Sequence, residues 1–84
     1  MKSQLIHDIV ENEAGTPRYQ VAYGIAMEVA RLTLPADIEL SLRSMSDTEM
    51  EELIEAALAD GVTVIRDVRP FLIEHFTQKE TKNG

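Results

Sequence analysis

The only imidazoles in this chain are His7 and His75, the side chains best suited to moving protons near neutral pH or binding a metal. His7 stands four residues before Glu11, so both fall on one helical face and could share an ion. Two ligands do not make a site, and His75 is far off in sequence. A polar helix face carrying one histidine explains the pair. His75 falls among Phe71, Leu72 and Phe76, where a histidine at a core boundary bonds a carbonyl more readily than it serves as a base. Cysteine is absent, which removes disulfides, thiolate nucleophiles, zinc fingers and iron–sulfur clusters together. The four glycines are scattered singly. No phosphate-binding glycine loop, G-x-S-x-G, H-E-x-x-H or di-iron E-x-x-H is present. The run from Asp47 lacks the alternating oxygen ligands and sixth-position glycine of an EF-hand. The expectation is no catalytic residue, no metal and no cofactor, and hence no enzyme.

Charge says more. The chain has 15 Asp plus Glu against 8 Lys plus Arg over 84 residues, a net charge of -7 and a pI near 4.6. From Asp37 to Asp60 there are eight acids and one base, Arg43. The remainder balances, so this segment holds the whole excess. Asp47, Glu51 and Glu55 stand four apart in a row of like charge, each adjacent pair unfavourable by ~0.2–0.5 kcal/mol. Part of this is ordinary, because acids favour the first turn of a helix and keep a small protein soluble. The rest suggests a docking surface for a basic patch on a larger protein. Asp47, Glu51, Glu52 and Glu55 are the expected contact residues.

These side chains must be positioned by helices. Ser3 can cap a first helix with Leu5, Ile6, Ile9 and Val10 on one face, ending near Ala14 with Gly15 as the stop. Thr16-Pro17 starts a second, from Pro17 to Thr33. There Gln20, Gly24, Glu28 and Arg31 occupy a polar arc of only about 80°, and apolar residues fill most of the remainder. Such a helix lies at the centre of the fold or turns one side to a second chain. Ala22, Ala26 and Ala30 form a row that admits another helix. Tyr19, Tyr23 and Met27 are the expected contacts of a homodimer.

Segment Ala36–Met45 reads two ways. Ile38, Leu40 and Leu42 alternate with polar residues as in a strand, while Leu34, Ile38, Leu42 and Met45 fit a helical stripe. The helix is preferred, since its neighbours are helical. Ser46-Asp47-Thr48-Glu49 is a capping box opening a helix with Met50, Leu53, Ile54, Ala57 and Leu58 inside, stopping at Asp60-Gly61. The last helical pattern spans about Val62–Thr77. Pro70 kinks it or marks its true start. Residues 78–84 contain no apolar side chain and read as a disordered tail.

Ala57, Gly61 and Val62 have the spacing of a helix-turn-helix, but Asp67 and Pro70 stand where its second helix needs apolar residues. Acids also dominate the first helix, and phosphates would be repelled. Arg66 and Arg69 are the only basic pair outside the tail. The fold expected is a compact all-α domain over 1–77 with four to five helices and a central apolar one. The alternative is α+β, with strands near 38–43 and 62–66. The function expected is non-catalytic binding of a larger protein with a basic surface, as adaptor, inhibitor or regulator. An acidic mimic of nucleic acid or a structural homo-oligomer is the alternative. No apolar run reaches the roughly 20 residues of a membrane span, and no signal-peptide pattern is visible. No direct contact with nucleic acid or membrane is expected, and the location expected is cytoplasmic.

Overall fold

The computed structural model describes residues 3–82, with side chains through 78. It is all-α: five α-helices and one short 3-10 turn, with no strand among the described residues. The helices are α1 (Gln4–Asn12), α2 (Pro17–Arg31), α3 (Ala36–Ser44), α4 (Asp47–Ala59) and α5 (Val68–Lys82), and the 3-10 turn is Ile65–Asp67. Local chemistry sets most boundaries. The Ser3 hydroxyl accepts from the Ile6 amide at 3.3 Å. Thr16 does the same for Tyr19 at 3.1 Å, ahead of Pro17 at the first helical position. Ser46 and Glu49 exchange both capping-box bonds, at 3.2 and 3.1 Å. Each cap satisfies an amide that the helix itself leaves open.

The ambiguous segment is helical. Ile38 and Leu42 are buried, while Leu40 is 65% exposed, a helical rather than an alternating pattern. Neither the alternative strand near 62–66 nor a helix from Val62 forms: 62–64 are a connection leading into the 3-10 turn, and the last helix starts at Val68. Pro70 lies in the first turn of α5, where its missing amide hydrogen costs nothing. It marks the start of the helix rather than a kink. Helix α5 continues to Lys82, inside the stretch read as a tail, and 83–84 fall outside the described residues.

The helix-turn-helix spacing has a simpler cause. Gly61 adopts φ 87°; its amide donates to Leu58 O and the Val62 amide to Ala57 O, both at 3.0 Å. These are the two bonds of a Schellman ending, which needs glycine at this position and places an apolar residue after it. Val62 is accordingly buried.

Helix α2 is central, packing against α1, α4, α5 and the 3-10 turn. Val21, Ala22, Ile25 and Val29 supply its inner side, meeting Ile6 and Ile9, Met50 and Ile54, and Val68 and Leu72 in one core. Its polar arc is the seat of the chain that follows α4. Gln20 Oε1 accepts from the Ile65 amide at 3.1 Å. Gly24 leaves room for Val68, whose Cγ2 would lie 2.6 Å from a Cβ placed there. Glu28, nearly buried, accepts from the Thr33 hydroxyl at 3.1 Å and pairs with Arg69 at 3.4 Å. Arg69 also donates to the Thr33 carbonyl at 2.8 Å. This ring holds the turn after α2, where Leu32 adopts a left-handed conformation at φ 56°.

Candidate interaction face around Arg18

Helix α4 presents Asp47, Thr48, Glu52 and Glu55 outward, because Met50, Leu53, Ile54 and Ala57 occupy its buried side. Glu51 is half-buried at the edge. The acidic row is not left to itself. Arg18 reaches it from the first turn of α2. Its Nε donates to Glu13 at 2.9 Å. Its Nη1 donates to Glu51 and, at 3.3 Å, to Glu55. Its Nη2 closes a fork on Glu51 at 3.1 Å. One guanidinium thus ties the end of α1, the start of α2 and the middle of α4. The planar fork suits a carboxylate on two oxygens.

The electrostatics follow from these bonds. The hydrogen bonds from Arg18 hold the Glu51 carboxyl below the usual carboxylate range, against the opposing effect of burial. The bond to Glu51 in turn pushes the guanidinium above its ordinary value. Glu55 stays mostly in solvent, its side chain 63% exposed. Asp47 accepts from the Ser3 hydroxyl at 3.0 Å, linking the starts of α1 and α4. Glu52 is exposed and forms no ion pair among the described residues. The four expected contact residues therefore share one helix but differ in condition. Glu51 and Glu55 are fixed by an arginine, Asp47 is held by a serine, and Glu52 is open.

Arg18 is the residue that sequence reading passes over. A cation beside the positive end of a helix is unfavourable, and α2 has no acid in its first turn to offset it. That is the signal in the sequence: Arg18 needs carboxylates from elsewhere, and α1 and α4 provide three. One positive charge against three leaves the cluster negative, so the repulsion within α4 is reduced rather than removed.

The remaining candidates are plainly placed. Tyr19, Tyr23 and Met27 lie partly exposed on the outward side of α2, with the tyrosine rings stacked at 5.6 Å. His7 and Glu11 are exposed and 3.6 Å apart. His75 stacks on Phe71 and meets Phe76 edge-on, both at 5.3 Å. It lines a shallow cleft of about 160 Å³ with Ala56, Asp60, Phe71, Glu74 and Gln78. Among the described residues no three His, Asp or Glu side chains gather as metal ligands, and no helix is long and apolar enough to cross a membrane. In comparison with known proteins, no family model, curated protein or solved structure matches the chain.

Proposed function

We propose that this chain is a small non-catalytic protein that works by binding a larger protein with a basic surface, as an adaptor, inhibitor or regulator. The observation that supports it most is the charge imbalance around Arg18. One guanidinium serves Glu13, Glu51 and Glu55, and the outward side of α4 keeps Glu52 and the open side of Glu55. A face of one sign speeds encounter with a partner of the other. The bonds to Arg18 also hold two of the carboxylates in place beforehand, which lowers the ordering cost of binding. Nucleic acid has the wrong sign for such a face. A chain without cysteine suits a reducing compartment, and a cytoplasmic location belongs to this proposal.

The test is affinity capture with the wild type and with Glu52→Lys plus Glu55→Lys, followed by stopped-flow association of the purified partner with each. The expected partner is basic and released by salt, and the double variant associates with it at least about tenfold more slowly at low salt. Equal association rates for the two proteins would refute the proposal.

A further inference from the structure

Among the described residues, α1, α3, α4 and α5 all turn carboxylates to solvent, among them Asp8, Asp37, Glu52 and Glu74. Helix α2 does not. Its one acid, Glu28, is nearly buried beside Arg69. Its outward side carries Tyr19, Tyr23, Met27 and Arg31, four apart in a single row, bordered by Ala26 and Ala30. Tyr23 is 37% exposed. Within the described residues neither tyrosine hydroxyl has a hydrogen-bond partner and Arg31 has no ion pair.

We infer that this face binds a second copy of the chain, with the two α2 helices antiparallel about a twofold axis level with Ile25. The argument is the order of the row. Reversed about that point, it places Tyr23 opposite the partner's Met27 and Tyr19 opposite the partner's Arg31, each pairing occurring twice. A twofold interface requires this self-complementarity, in which one residue meets a second and the second meets the first. Both pairings are favourable: a thioether against an aromatic ring, and a guanidinium over a ring face. Ala26 and Ala30 leave a shallow groove beside the row, into which the ridge of the other copy fits. Charge selects the same face. Two chains that each carry a net -7 meet here without setting carboxylate against carboxylate, and Arg31 brings a positive charge to each end. This inference goes beyond the acidic-face proposal and does not rest on it.

Sedimentation over micromolar to millimolar concentration tests it. The expected result is a species of twice the 9.4 kDa chain mass, favoured by added salt because the rest of the surface repels. Salt acts in the opposite direction on a basic partner at α4. Tyr23→Glu places two carboxylates near the axis and should return a monomer, with far-UV circular dichroism retained. Arg31→Glu, at an exposed position, is a second such variant and should weaken association about tenfold or more. Because the chain has no cysteine, single cysteines report the register. About the proposed axis, paired copies of position 26 are offset along the helix by about 3 Å and copies of position 30 by about 15 Å. Ala26→Cys should therefore form an intermolecular disulfide under mild oxidation, and Ala30→Cys should not. A monomer at millimolar concentration overturns the inference. So does a dimer that persists in both folded charge variants, and equal cross-linking at 26 and 30 overturns the antiparallel register.

Discussion

Substituting Gly24 with alanine tests whether α5 is seated on α2 as described. In an exposed helix the change would gain about 0.5–1 kcal/mol. Here the added Cβ falls 2.6 Å from Val68 Cγ2 and 2.9 Å from Val68 Cβ. Val68 is fully buried and β-branched, so it cannot swing aside as the end of a long side chain would. Either α5 shifts or Val68 leaves its rotamer, and overpacking of this kind costs about 1–3 kcal/mol. The clash outweighs the propensity gain, leaving a net loss of about 1–2 kcal/mol. For a domain of this size that lowers the Tm by about 5–15 °C. Urea unfolding followed by far-UV circular dichroism measures it. The decisive comparison adds Val68→Ala. Alone, that change opens a cavity and destabilises by about 2 kcal/mol. Combined with Gly24→Ala, the methyl enters the space Val68 vacates, and the double variant should be more stable than the two single losses predict by at least 1 kcal/mol, roughly the size of a close-contact coupling. Additive losses, or a Gly24→Ala protein more stable than the wild type, would refute the reasoning.

The pH dependence of stability should separate Arg18→Gln from the wild type. Arg18 depresses the folded-state pKa of Glu51, so its stabilisation is complete above the ordinary glutamate pKa and is lost as pH falls through the depressed value. Urea titrations should show a gap of about 1 kcal/mol near neutrality, modest because the groups are partly exposed, that closes in acid; a gap constant with pH would count against it. Leu32→Gly should raise stability by about 0.5–1 kcal/mol, since a left-handed leucine costs ~1–2 kcal/mol and glycine returns only part of that as entropy. Leu32 is 65% exposed, so little packing is lost, and a thermal melt that falls would contradict this.

The starts of α1, α2 and α4 were legible because their causes are local. Ser3, Thr16-Pro17 and Ser46 with Glu49 act within four residues of one another, and each helix begins where its cap stands. Segment 36–45 stayed open in the sequence because Ile38 and Leu42 satisfy both periods, and only the exposed Leu40 decides between them. The candidate face was half legible. The acids of α4 were visible, since the inner stripe fixes the outer one. Their arginine was not, because Arg18 lies 33 and 37 residues away from Glu51 and Glu55. The polar arc of α2 misled for a related reason. Gln20, Gly24 and Glu28 look like a solvent edge, yet each is matched by something brought from beyond residue 60: the Ile65 amide, the Val68 side chain and the Arg69 guanidinium.

That arc also bears on the order in which the molecule assembles. The short connection between α1 and α2 lets their contacts form early. The bond from Ile65 to Gln20 spans 45 residues, and closing a loop of that length costs on the order of 3 kcal/mol of chain entropy. One amide oxygen, one bare backbone position and one carboxylate are all matched by residues beyond 60. Helix α5 therefore takes its seat only once this long loop has closed, bringing Val68 and Leu72 into the core with it. During synthesis α2 waits with Gly24 and Glu28 uncovered until Val68 and Arg69 arrive. For that interval a fold this small has an exposed seam at its own centre, and the partly folded molecule is most open to unwanted contacts there.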